Sequence, residues 1–231
     1  VTSMWESIIY RKLSSMQIMP SINQTFDDTY DIIGATTADN PGPSERARGY
    51  PSTIAGGYVK EPQLGMHDWV VSFDLNSLYP NIIVQWNMSP ETIEFGPGSY
   101  NGMRGVDTYL NCFGSMTDPM HPATRAGNVT QAANGSCYRK EKVGVIPSII
   151  IDYYDERKSV KKMMLAAQKE YQQNKTYDLE KEINRLENTQ LAIKILMNSL
   201  YGALGNKYFK YFQERMAEGV TITGQLVIQW A

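Results

Sequence analysis

Three groups of residues in this 231-residue chain have the types and spacing for phosphate and metal chemistry. The first is Asp74. It follows Trp69-Val70-Val71-Ser72-Phe73, a run of β-branched and aromatic residues that predicts a buried strand. Pro80 suits a first helical turn, and Ser77 or Asn76 suits its cap. Asp74 therefore falls where a strand ends and a helix is about to begin. By analogy with parallel sheets, that is a corner where ligands gather. A carboxylate there holds a metal or caps the helix, and the amides of residues 75–79 can face an anion. The second group is Lys194, Asn198 and Tyr201, at positions i, i+4 and i+7. On a helix they lie within about 40° of one line. Gly202 follows, and a glycine inside a helix costs about 1 kcal/mol against alanine, which points to close approach by something. A cation, an amide, an aromatic face and a gap make a poor core stripe and a good nucleotide face. The third group is Arg157 with Lys161, and Lys158 with Lys162, each four apart on one helix face. Taken alone, such pairs describe a solvated face.

These residues need elements to carry them. Residues 1–20 predict a packing helix with Trp5, Ile8, Ile9, Leu13 and Met16 on one face. Residues 21–53 are polar and rich in turn formers, with Asn40-Pro41-Gly42-Pro43 as a turn cluster. A helix is expected from about Ser77 to Trp86, closed by Ser89-Pro90-Glu91-Thr92. Residues 94–137 lack apolar periodicity and predict a long surface excursion, with Cys112 and Cys137 as ordinary thiols. Tyr138–Gly144 reads as a hairpin. Pro147 then opens a helix to about Gln173, and a second runs from about Asp178 to Leu200 or beyond. A short break at 174–178 makes the two an antiparallel pair, each roughly 35–40 Å long. Asp178 and Glu180 suit the second helix's N-terminus. Lys207–Phe212 is aromatic and extended in this reading, and a last helix starts near Gln213.

The composition excludes some classes. With 42% hydrophobic and 20% charged residues, wholesale disorder is excluded. No apolar run reaches the length of a membrane span, and no signal peptide is seen. Two cysteines and two histidines (His67 and His121) make a disulfide framework or a Cys/His zinc site improbable, so a reducing, intracellular setting is expected. The net charge of −2 is not that of a typical nucleic-acid binder, yet the basic residues cluster. Arg139, Lys140 and Lys142 form one group, Arg157 to Lys162 a second, and Lys207, Lys210 and Arg215 a third. Val1 is not a start residue, and Ala231 stops inside an apolar helical pattern of Val220, Leu226, Val227 and Trp230, so an internal fragment is expected.

Asp74 with Ser77-Leu78-Tyr79-Pro80 resembles motif A of the family B DNA polymerases, Asp-x-x-Ser-Leu-Tyr-Pro-Ser, with Asn81 in place of the last Ser. Lys194, Asn198, Ser199, Tyr201 and Gly202 match every fixed position of their motif B. Ile54-Ala55-Gly56-Gly57 resembles the Tyr-x-Gly-Gly motif before the palm, with Ile54 in place of Tyr. A bulge or turn entering a strand is the plainer reading of those paired glycines. The stretches 55–62 and 89–92 look most like polymerases of T-even-like tailed phages. The exonuclease acidic motif and motif C are absent.

This resemblance, over about residues 54–231, implies an α+β fold: part of a polymerase right hand. Residues 1–66 would connect into the palm. Residues 67–146 would be palm, 147–206 an inserted two-helix fingers hairpin, and 207–231 a return to the palm, truncated before motif C. It implies nucleotidyl transfer from a deoxynucleoside triphosphate to a primer 3′-hydroxyl in viral replication, in the host cytoplasm. Two Mg²⁺ ions are implied, with Asp74 as the catalytic carboxylate and the Leu75 carbonyl as a further ligand. Arg157, Lys161 and Lys194 would hold the triphosphate. Asn198 would line the nascent base pair, and Tyr79 would sit under the sugar and exclude a 2′-hydroxyl. Gly56, Gly57, Tyr201 and Gly202 would touch template or primer. The implied partners are primer–template DNA and deoxynucleoside triphosphates, with a sliding clamp open to the complete protein and no membrane. The segment alone is expected to be inactive. Two other classes compete: a nucleic-acid-binding module without catalysis, and a structural helical hairpin. The first leaves Asp74-x-x-Ser-Leu-Tyr-Pro unexplained, and the second leaves the Lys194 stripe unexplained.

Overall fold

Two long helices dominate, because apolar residues at helical spacing run the length of both. In the computed structural model, which describes residues 1–18, 56–94, 127–206 and 208–231, α3 spans Val145–Gln173 and α4 spans Tyr177–Leu204. They pack along a seam of Val160, Met164, Leu186, Ile193 and Met197. Only Asn174–Thr176 separates them, so the pair is antiparallel. Asp178 and Glu180 stand in the first turn of α4, where a negative charge suits the helix dipole.

The other elements gather at the open end of this hairpin. Helix α1 (Thr2–Ser15) buries Trp5, Ile9 and Leu13 against α3 and α4. Helix α2 (Leu78–Gln85) and helix α5 (Glu214–Trp230) pack on each other and on the hairpin. Three short strands form an antiparallel sheet in the order β1 (Ile93–Glu94), β3 (Cys137–Arg139), β2 (Val129–Gln131). Tyr138 of β3 is fully buried beside Trp5, Ile83, Met88, Leu204 and Met216 in the main core. The mixed helical and strand content is that of an α+β fold. No helix among the described residues is long and apolar enough to cross a membrane.

The start of α3 is fastened from across the sheet. Its N-cap, Gly144, has no side chain to offer the free amides that follow. Glu91 accepts from the Val145 amide, and Ser89 Oγ accepts from the Ile146 amide at 3.3 Å. Asn87 Oδ1 accepts from the Gly144 amide at 2.8 Å, while its Nδ2 donates to the Arg139 and Lys142 carbonyls. The segment Asn87–Thr92 thus caps α3 from a distance, with its own 3₁₀ turn closed by a Ser89–Thr92 capping box.

Five expectations are corrected. Trp69–Phe73 is not a buried strand: Trp69 is 98% and Phe73 89% exposed. A strand needs a hydrogen-bonded neighbour, and none of the described strands pairs with it. Ser77 does occupy the N-cap of α2, but in a left-handed conformation, and neither it nor Asn76 caps through its side chain. The excursion 94–137 does not stay on the surface throughout. Ala132, Asn134, Ser136 and Cys137 are buried, because the turn 132–136 docks on α5 through Ala133 N–H to Thr223 Oγ1 (3.0 Å) and Asn134 Nδ2 to the Arg215 carbonyl (2.8 Å). The hairpin is therefore β2–β3 rather than Tyr138–Gly144. Finally, 208–212 is turn rather than extended, since Phe209 and Phe212 donate to carbonyls three residues back. Ile54, Ala55, Lys207, Cys112 and His121 lie outside the described residues.

Gly144 leaves no room for a side chain. A Cβ there would lie 2.6 Å from the Ser89 Cβ and 3.2 Å from both Pro147 Cδ and Thr92 Cγ2. Gly144→Ala is expected to destabilise the fold by about 1–3 kcal/mol, the usual cost of overpacking. Urea unfolding reads this directly, and an unchanged midpoint would show that the junction relaxes freely.

Candidate functional site

Two tyrosines from distant parts of the sequence meet where α2, α4 and α5 converge. Tyr79 in the first turn of α2 and Tyr201 near the end of α4 have ring centroids 4.7 Å apart with planes tilted by 37°. The separation lies within the range of favourable aromatic pairs. Tyr201 is fixed at its far end. Its hydroxyl donates to Thr221 Oγ1 of α5 at 2.6 Å, and Thr221 in turn donates to the Ala217 carbonyl at 3.1 Å. Tyr79 is half-buried; burial, then the neighbouring Tyr201, holds its hydroxyl above the usual phenol range.

The paired glycines reach this same place. The Gly57 backbone lies so close that a Cβ there would be 3.2 Å from the Tyr79 hydroxyl. The Gly56 carbonyl accepts from Gln225 Nε2 of α5, which ties the segment to the helix that backs the tyrosines. The structure therefore brings together Tyr79, Tyr201, Gly56 and Gly57, which are up to 145 positions apart in the chain.

The exposed side of α4 carries the rest of the stripe. Lys194, Asn198 and Gly202 are exposed, and a Cβ on Gly202 would meet nothing within 4 Å among the described residues. Its lack of a side chain thus serves no packing among the described residues. Ser199, on the same helix, turns inward and accepts from the Trp5 indole N–H at 3.0 Å. Helix α1, which reads from sequence as mere packing, so helps to set the rotation of the stripe. Across the seam, Val160 shares a cluster with Ile193 and Met197, which brings the Arg157–Lys161 turn level with Lys194 along the hairpin. Lys161 is exposed. Arg157 is half-buried, and its Nε is enclosed with no hydrogen-bond acceptor among the described residues.

Asp74 and Leu75 stand just ahead of α2, both exposed to solvent. A carboxylate and a backbone carbonyl are hard oxygen donors of the kind Mg²⁺ takes. No cluster of three His, Cys, Asp or Glu side chains that could hold a metal occurs among the described residues. Asp74 and the Leu75 carbonyl fit a divalent ion as part of a ligand set.

Sequence reasoning missed Thr221, Gly224 and Gln225. They fall at i, i+3 and i+4 on one face of α5 and all reach the tyrosines or Gly56. The apolar pattern of that helix masked them, although a glycine between two polar residues on a helix face was a signal in plain view.

Known DNA polymerases are similar to this chain in sequence. The DNA-directed DNA polymerase of Escherichia phage RB69 is 30% identical over 82% of this chain. That of Enterobacteria phage T4 is 32% identical over 77%, and a DNA polymerase of Thermococcus sp. (strain 9oN-7) is 35% identical over 76%. The chain spans about a quarter of the two phage relatives, 24% and 23%, and 18% of the archaeal one. The family profile described as DNA polymerase family B matches residues 6–231. The chain belongs to DNA polymerase family B.

Proposed function

We propose that this chain forms the nucleotide-binding part of a viral replicative DNA polymerase, with palm residues at 67–146 and 207–231 and a fingers hairpin at 147–206. The observation that carries the reading is the meeting of Tyr79, Tyr201 and the Gly56–Gly57 backbone under an exposed stripe of Lys194, Asn198 and Gly202. A nucleic-acid-binding module or a bare helical hairpin would gain nothing from that convergence.

In this reading a deoxynucleoside triphosphate lies with its phosphates along the hairpin and its sugar over Tyr79. Arg157 offers a guanidinium whose Nε lacks an acceptor among the described residues, and Lys161 and Lys194 add point charges. Asn198 faces the base pair, and Tyr201, Gly202 and the Gly56–Gly57 backbone face primer–template DNA. Asp74 and the Leu75 carbonyl take part in holding Mg²⁺. Bound divalent ions would polarise the reacting phosphate and activate the primer hydroxyl. The chain's own part is to hold the triphosphate, to orient the sugar and to keep the slot dry on the Tyr79 side.

Tyr79→Ala in the full-length polymerase carrying this chain is expected to raise ribonucleotide incorporation far more than it lowers deoxynucleotide incorporation. Competition of the two sugars in primer extension checks this, and unchanged discrimination would make the ring a packing residue only. Lys194→Ala should weaken use of all four deoxynucleotides about equally, because a phosphate contact carries no base information. The loss should be several kcal/mol of transition-state stabilisation, about that of removing an electrostatic donor. Steady-state kinetics with each nucleotide measures it, and a loss confined to one base would overturn the phosphate assignment. The 231 residues alone should not extend a primer, since motif A supplies Asp74 alone and no group of three metal-ligating side chains occurs among the described residues. Robust extension by the purified segment would show that the second carboxylate lies within it.

A further inference from the structure

Tyr79 rests on a glycine. Gly224, in the interior of α5, is buried, and a Cβ built on it would lie 2.9 Å from Tyr79 Cε1, 3.5 Å from Tyr79 Cδ1 and 3.5 Å from Ile82 Cδ1. A separation of 2.9 Å is below any contact a real Cβ keeps. The ring has little freedom to yield. Tyr201 lies against it at 4.7 Å, and the Gly57 backbone stands at its hydroxyl. Tyr201 cannot retreat either, because its hydroxyl is bonded to Thr221, one turn back on the same α5 face. Alanine is the better helix former by about 1 kcal/mol, so helix propensity alone disfavours a glycine here.

We propose that Gly224 is a specificity-determining residue, which sets the depth of the Tyr79 ring and so the height of the slot left for the nucleotide sugar. The inference rests on the reading of Tyr79 as the sugar-facing residue. Gly224 itself touches no substrate; it is a positioning residue acting through the ring. With α5 behind, Tyr201 beside and Gly57 at the hydroxyl, a methyl at 224 leaves the ring one direction to move, away from α5. That is toward the open space the sugar would fill.

A double-mutant cycle of Gly224→Ala and Tyr79→Ala in the full-length polymerase tests this. In the Tyr79 background, G224A should raise KM for all four deoxynucleotides about tenfold with a much smaller change in kcat. In the Tyr79→Ala background the same substitution should change KM less than about twofold, since the ring it displaces is gone. Tyr79→Phe keeps the ring and should keep the full effect of G224A. An unchanged KM in G224A overturns the proposal. So does an equal loss with and without the ring, which would assign the effect to general damage of α5. Where G224A folds too poorly to assay, the melting temperature decides: the double variant should match Tyr79→Ala alone, and a double variant as unstable as G224A would overturn the proposal. Tyr79→Ala alone tests the underlying reading separately. If it leaves sugar discrimination unchanged while the cycle still shows coupling, Gly224 positions a ring that is not the sugar gate, and the specificity role fails with the gate.

Discussion

A pair of tyrosine rings 4.7 Å apart fixes how three helices of this chain can meet. Tyr79 comes from α2, Tyr201 from α4, and both lean on α5, one through Gly224 and the other through Thr221. Aromatic rings are stiff and carry large contact areas, so such a junction tolerates little displacement. The stripe of Lys194, Asn198 and Gly202 inherits its direction from this junction and from the Trp5–Ser199 bond on the other side of α4. A helix held on two sides presents its third side with a defined rotation. That is what a face built to meet a nucleotide requires.

The hairpin is mounted with equal care at its other root. Glu91 and Ser89 take up the free amides at the start of α3, and Asn87 holds the loop that leads to it. A carboxylate at a helix N-terminus also gains from the dipole. The outer turns of the hairpin have no such anchorage among the described residues. Their seam is the small cluster of Val160, Met164, Leu186, Ile193 and Met197, and Lys158, Lys161, Lys162 and Lys194 lie along it in solvent. Arg157 Nε is enclosed there without an acceptor among the described residues.

The helices were legible in the sequence because their apolar spacing spans many turns and is bounded by clear breaks. Motifs around Asp74 and Lys194 were legible because each packs several chemically distinct residues into a fixed spacing. The environment of a segment was less so. Trp69–Phe73 has the composition of a buried strand, yet composition reports a tendency to be covered and says nothing of what covers it. Residues 132–137 lack apolar periodicity and are nonetheless buried, because their burial rests on side chain to backbone bonds with α5 rather than on a repeating face. Gly224 and Thr221 were hidden for a related reason. Their role is set by what lies against them, Tyr79 at 145 residues from Gly224 and Tyr201 at 20 from Thr221, and no local pattern encodes that.

The central claim is that the Tyr79–Tyr201 junction and the Lys194 stripe form one slot for one nucleotide. The most direct measurement is a crystal structure of the full-length polymerase with primer–template DNA and a non-hydrolysable deoxynucleoside triphosphate. The account predicts phosphate oxygens on Arg157, Lys161 and Lys194, and the sugar within van der Waals contact of the Tyr79 ring. A triphosphate bound away from the hairpin, or a sugar that leaves Tyr79 untouched, would contradict it.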